Sequence, residues 1–275
     1  MNKKYFILMV LLAMMSVSPA VDKATFTIAP PPAGYPVFIP DTSDIGIGLN
    51  YISITVPFSY EEIVIENNLP VTNTINKDLK IVGGAITGNY KVVYGRTAVN
   101  HSGGLAVLSG NINKMLIMNF MYRLNGLIQV MKNERLSAFL FGNAGLDYSL
   151  STSKMIFPQF MPMKTAPVED EVTLTVNSFI SSFSAGMQMN ITAGNFIFSP
   201  FGVFSYSAGS FNTSMQSSMS YEYPSASGRI DGFSSIIYGF DILYTPLDMT
   251  LSSMIQSGED YDMVNISVRK SLTSF

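Results

Sequence analysis

The 275-residue chain contains no cysteine and no tryptophan, has a single histidine, and carries charge at only 13% of its positions. Without cysteine there is no disulfide framework, no thiolate metal site and no lipid anchor attached through a thiol. Long apolar runs are missing too. Past residue 20 nothing approaches the ~18 uninterrupted apolar residues of a membrane helix. Basic residues are few, 16 Lys and Arg against 19 Asp and Glu. An acidic balance of that kind speaks against a nucleic-acid partner, which requires a basic face.

What the chain does have is hydrophobicity: 47% of its residues are apolar, and the mean hydropathy is +0.28. Part of this lies in the opening "MNKKYFILMVLLAMMSVSPA", where Lys3 and Lys4 precede an apolar run from Tyr5 to Met15, with Ser18 and Ala20 small at −3 and −1. That is the layout of a secretory signal peptide, and the run is too short for a bilayer span. Residues 1–20 are therefore expected to be removed. Losing Lys3 and Lys4 leaves 14 basic against 19 acidic residues, a net charge of −5.

The remaining hydrophobicity alternates with period 2, the spacing of strand side chains that point to opposite faces. Ile236, Tyr238, Phe240, Ile242 and Tyr244 share one face, with Ser235, Gly239 and Asp241 on the other. The same holds for Leu140, Leu146 and Tyr148 against Asn143, Asp147 and Ser149, and for Phe183, Met187 and Met189 against Ser182, Gln188 and Asn190. Leu116, Met118, Phe120 and Tyr122 oppose Asn119 and Arg123; Val264, Ile266 and Val268 oppose Asn265 and Arg269. Soluble sandwiches alternate as well, but their outer faces are rich in Lys, Glu and Thr. Here the weaker face is Ser, Asn, Gln, Gly and isolated charges, as the inner wall of a transmembrane barrel requires. In such a barrel, closure satisfies the backbone and lipid surrounds the apolar face.

Turn chemistry predicts short connections at Thr87–Asn89, Thr192–Asn195 and Thr245–Asp248, and longer ones over Phe58–Lys77, Thr152–Thr173 and Ser207–Gly228. Short turns on one side and long loops on the other is the barrel pattern. The fold class is all-β, an antiparallel transmembrane β-barrel. Strands at 45–57, 78–87, 90–99, 104–109, 114–124, 127–132, 136–150, 176–190, 195–207, 230–244, 249–257 and 263–273 make twelve, or ten if two in the 100–135 region are bends of their neighbours. Asn125-Gly126 is a strong hairpin signal that fits the scheme less neatly. The barrel spans 45–275. Residues 21–44, with five prolines, read as a periplasmic lead-in or a plug-like segment.

With its signal peptide, its alternating strands, the fragments "AFLFGNAGLDYSL" (138–150) and "GFDILYTPLDMTLSSMIQ" (239–256), and the terminal Phe275, the chain resembles the broad class of bacterial outer-membrane β-barrel proteins. The resemblance implies outer-membrane localisation, lipid as a partner, and insertion by the barrel assembly machinery, which reads a final strand ending in an aromatic residue. Phe275 lies on the opposite parity to Val264, Ile266, Val268 and Leu272, so the last strand must twist or bulge. Tyr122, Tyr148, Tyr206, Tyr238 and Tyr244 are candidates for interfacial girdles.

Catalytic patterns are weak. Outer-membrane lipid deacylases carry histidine and serine two residues apart, on one strand face; here His101 and Ser102 are adjacent and fall on opposite faces. The acidic groups Glu61, Glu62, Glu66 and Glu169, Asp170, Glu171 have no histidine beside them in sequence, and adjacent carboxylates rarely converge on one calcium ion. The methionines read as apolar filler rather than soft-metal ligands. No cofactor, metal site or enzymatic role is assigned. The functional candidates are the polar residues predicted to face the lumen: Lys91, Asn119, Arg123, Asn143, Asp147, Gln188, Asn190, Asp241, Asn265 and Arg269. Buried charges of this kind should pair, Asp147 or Asp241 with Arg123 or Arg269. The expected function is a non-catalytic barrel, either a narrow porin-like channel for small polar solutes or a structural surface barrel. The rivals are an outer-membrane hydrolase and a soluble secreted adhesion module.

Overall fold

The computed structural model describes residues 43–274 apart from 67–68, 112–113, 160–167, 220–221, 224 and 259–260, with backbone alone at 58–66, 69–77, 155–159, 168–169 and 274. The expected signal peptide, the proline-rich stretch up to Thr42, and Phe275 lie outside the described residues. Ten antiparallel strands close into a barrel, each paired with its chain neighbours and the first with the last. They are β1 (Asp44–Glu66), β2 (Leu69–Tyr94), β3 (Thr97–Gly110), β4 (Leu116–Lys132), β5 (Leu136–Gln159), β6 (Val168–Ala193), β7 (Phe196–Ser217), β8 (Ala226–Tyr244), β9 (Met249–Gly258) and β10 (Asp262–Ser274). Every strand has two partners, which excludes the two-sheet sandwich of a soluble adhesion module.

The count is ten rather than twelve because two sets of turn residues belong to the inner wall. Thr87-Gly88-Asn89 lies inside β2, not at a turn. A Cβ on Gly48 would meet Thr87 Oγ1 at 2.7 Å, and one on Gly46 would meet Asn89 Oδ1 at 2.5 Å. These two polar side chains thus lie over bare β1 backbone, and that is what the glycines allow. The turn falls instead at Gly95, whose φ of 60° suits glycine. Asn125-Gly126 lies inside β4, where Asn125 is buried and accepts a hydrogen bond from Asn143 Nδ2 at 2.5 Å. The turns at Thr192–Asn195 and Thr245–Asp248 are present, with Gly194 at φ 59° and Asp248 left-handed at φ 48°.

The long connections are mostly strand. The ladders continue to Glu66↔Leu69, to Gln159↔Val168 and to Thr213↔Ala226. Above the bilayer both faces of a sheet are wet, so the apolar half of the alternation is lost while ladder hydrogen bonding still favours extended chain.

Following the register around the barrel, Ser199 pairs Asp241, then Ser252, Ser267, Asn50, Ala85, Ala106, Asn119, Ser149 and Ser178, and returns to β7 at Phe211, a climb of 12 residues. With strands ~4.8 Å apart and a rise of ~3.3 Å per residue, that shear gives a tilt of about 40° and a backbone radius of about 10 Å. Each residue then climbs ~2.5 Å, so the ten residues of β9 cover roughly the ~25 Å apolar band. β5 with 24 residues and β6 with 26 rise more than twice as far. The outer rim therefore has two crests, at β1–β2 and β5–β8, and two low notches, at β3–β4 and β9–β10.

Candidate functional site: the barrel lumen

The wall's two faces differ as lipid outside and packed interior require. Outward residues include Leu49, Ile86, Phe120, Leu146, Phe183, Met187, Phe204, Ile236, Phe240 and Leu272, all exposed. Phe196 meets Tyr244 in a tilted contact beside the short turns with centroids 5.0 Å apart, and the exposed Phe120 meets Tyr148 higher up at 6.4 Å. Tyr122, Tyr148, Tyr206 and Tyr238 are exposed on the outer wall, and Tyr244 is half-buried at its turn. An apolar belt flanked by aromatic side chains around a closed barrel is the exterior of a transmembrane β-barrel.

The inner wall carries a polar ribbon. One register row runs Asp44, Lys91, Asn100, Asn125, Asn143, Ser184, Ser205 and Ser235, across eight strands from β1 to β8. The adjoining row runs Asn89, Ser102, Arg123, Gly145, Ser182 and Ser207. Because rows climb with the shear, this ribbon winds from the short-turn mouth at Asp44 toward the notch at β9–β10. There Gln256 Nε2 donates to Ser235 Oγ at 2.9 Å and to Tyr261 Oη at 2.6 Å. Apolar clusters lie on either side. Toward the outer rim are Ile52, Ile54, Ile81, Leu108, Ile180 and Met263. Toward the short turns are Leu127, Phe139, Phe141, Phe201, Ile237 and Met254. The pattern of small polar residues did not reveal these inward apolar residues, whose stripes look like any other in sequence.

All ten polar candidates face inward: Lys91, Asn119, Arg123, Asn143, Asp147, Gln188, Asn190, Asp241 and Asn265 are buried, and Arg269 is partly so. Arg123 and Asp147 meet in a forked pair, Nη2 donating at 2.6 and 2.8 Å, while Arg123 Nη1 donates to the Tyr122 and Leu146 carbonyls. Arg269 does not pair with Asp241. Its Nη1 lies 3.7 Å from Asp44 Oδ1, and Lys91 Nζ is 2.7 Å from the other Asp44 oxygen. Asn190 Oδ1 accepts from Ser199 Oγ at 2.8 Å. Asp241 is fully buried against Ser252, its partner on β9, while the amides of Asn119, Gln188 and Asn265, and Arg269 Nε and Nη1, are closed to water and have no hydrogen-bond partner among the described residues. Asp44, Asn89, Asn100 and Asn125 complete the ribbon. Asp44 lay hidden at the end of the proline-rich stretch, and Asn89 and Asn125 were disguised as turn residues.

Two other features bear on chemistry. His101 sits on the outer face of β3, sharing a 2.7 Å hydrogen bond with Tyr122 Oη and stacked on Tyr90, while Ser102 points into the lumen. At the crest, neighbouring carboxylates diverge. Asp170 is covered by Ser217 Oγ (2.7 Å), Ser218 Oγ (2.9 Å), Tyr223 Oη (3.0 Å) and Met219 N–H (3.2 Å), whereas Glu171 is exposed and pairs with Lys154. Burial works against the Asp170 charge, but these four donors overcome it and hold the carboxyl below its ordinary range. Among the described residues no three His, Cys, Asp or Glu side chains gather as metal ligands would.

The closed ten-strand wall with its apolar belt defines a transmembrane β-barrel of the outer-membrane type. No family model matches the chain, and no curated protein does. Among solved structures, the chain is similar to the outer membrane protease OmpT from Escherichia coli at 11% identity, covering 86% of this chain and 99% of that one, with a TM-score of 0.49. It is also similar to the translocator domain of the autotransporter NalP from Neisseria meningitidis, at 8% identity over 83% and 88% of the two chains, with a TM-score of 0.45. Likenesses this distant carry nothing about activity or ligand.

Proposed function

We propose that the chain is a non-catalytic outer-membrane barrel with a closed lumen, whose role is structural and surface-exposed rather than porin-like. The observation that carries this is the burial of the inner wall: Lys91, Asn119 and Asp241 expose none of their surface, and apolar clusters fill the lumen on both sides of the polar ribbon. Residues lining a water-filled bore stay wet. The non-catalytic reading is supported by the outward position of His101, the one histidine in the sequence, which separates it from every lumen carboxylate by the wall itself. The test is planar-bilayer recording on the refolded full chain. Silence is expected, and discrete conductance steps would overturn the closed-lumen reading.

A further inference from the structure

His101 sits oddly on a wall that faces hydrocarbon. It lies four residues up β3 from Thr97, about 10 Å above the short turns at ~2.5 Å per residue, and its outer-face neighbours Val99, Leu105 and Leu124 are exposed and apolar. It therefore stands within the apolar belt. Its Nδ1 shares the 2.7 Å hydrogen bond with Tyr122 Oη, but Nε2 has no hydrogen-bond partner among the described residues. Lipid tails offer neither donor nor acceptor, so an open ring nitrogen is costly there. Beside it the wall is hollow. Gly103 and Gly88 pair directly across β3 and β2 and share the outer face with His101 and Tyr90. Inward glycines such as Gly48 and Gly145 are required by packing, whereas a Cβ on Gly103 would meet nothing nearer than Met121 O at 3.5 Å, and one on Gly88 nothing nearer than Gly46 O at 3.9 Å.

The register makes this surface self-complementary. Leu124 follows His101 in its row, and Tyr122 pairs Gly103. At the barrel's tilt each step to the next strand climbs ~3 Å and each residue ~2.5 Å. Leu124 then stands about 4 Å to one side of His101 and Gly103 about 4 Å to the other, level to within about 2 Å, while Tyr122 lies directly above His101. We infer that two copies of the chain meet on this face in the membrane, about a two-fold axis along the membrane normal that passes in front of His101 and Tyr122. Such an axis keeps depth and exchanges sides, so Leu124 of each copy enters the Gly103–Gly88 hollow of the other. The two His101 rings meet at the axis, where one Nε2 donates and the other accepts. The hydrogen bond between Nδ1 and Tyr122 Oη can run in either direction, so either copy can take either role. Apolar surface alone does not drive association in lipid; small residues that permit close approach, and polar groups joined across the contact, do.

This inference goes beyond the closed-lumen reading and does not depend on it. Because the chain has no cysteine, Arg96→Cys, exposed in the turn between β2 and β3, gives a single label at the foot of this face. Full chain carrying a donor dye, refolded into lipid vesicles with full chain carrying an acceptor, should show energy transfer that falls when unlabelled chain is added. Gly103→Leu fills the hollow, and His101→Leu replaces the imidazole with the residue type that surrounds it. Each should keep the heat-modifiable migration of a folded barrel and weaken association about tenfold, the worth of one hydrogen bond inside a membrane. Ile236→Phe, on the outer face of β8 across the barrel, should leave association unchanged. Energy transfer no greater than chance proximity in the otherwise unaltered chain means that lipid alone covers the face, and overturns the inference. Dimers that both leucine variants leave intact overturn it as well, since the contact then lies elsewhere on the wall.

Discussion

Arg123 and Asp147 show what one residue can decide in this lumen. Their forked pair is buried, and removing one partner leaves the other charge without its counterion. Asp147→Ala should destabilise the refolded barrel by about 3–5 kcal/mol in urea unfolding, whereas replacing both with apolar residues of similar volume should cost far less. Gly145 matters for the same pair: a Cβ there would meet Arg123 Cδ at 2.6 Å and Ser182 Oγ at 2.5 Å, so Gly145→Ala should displace the guanidinium and weaken the pair. At the crest, Asp170 has a lowered pKa, so its contribution is present above the ordinary carboxylate range and is lost as pH falls through its depressed value. Asp170→Asn should loosen Ser217–Met219 at neutral pH, read as faster thermolysin cleavage there, and wild type should match the mutant only in strong acid. Side-chain direction was legible in sequence at residues such as Asp241 and Gln188, because parity decides it. Pairing was not, because whether Arg269 meets Asp44 or Asp241 depends on shear, which no local pattern encodes.

At the level of strands, the apolar belt and the crest obey different rules along one continuous ladder. β6 passes from one to the other: Phe183 and Met187 are exposed to lipid, while Thr173 and Thr175, on the same face, stand in the crest. Met187→Arg should cost about 2–4 kcal/mol, the depth-dependent penalty of a cation on the lipid face. Thr175→Arg should change stability by less than about 0.5 kcal/mol. The contrast, measured in vesicles, locates the bilayer on the strand. The same boundary explains what sequence reading found and missed. Within the belt the period-2 signal is strong and the strands are evident. Above it the signal ends where lipid ends, so the outer halves of β5, β6 and β7 read as loops. Within β2 and β4, Thr87–Asn89 and Asn125-Gly126 imitate turns because small polar residues suit a lumen wall as well as they suit a hairpin.

For the whole molecule, closure leaves no unpaired edge inside the bilayer, but the uneven rim leaves some above it. Over the β9–β10 notch, β8 continues past its last pair with β9, Ser235↔Gly258; over the β3–β4 notch, β5 continues past Leu116↔Thr152. Amide hydrogen exchange should therefore be graded: slowest in the belt, intermediate in the paired crest, and fastest along Ala226–Ser234 and Ser153–Gln159, each of which is hydrogen-bonded on one side alone. Uniform protection along β5 would contradict this picture. The same unevenness sets two heights for anything grafted onto the barrel. A peptide epitope inserted between β3 and β4 would sit level with the outer-leaflet headgroups, screened from an antibody. One inserted between β5 and β6 would be carried on rigid sheet about 20 Å higher, at ~2.5 Å per residue, well clear of them.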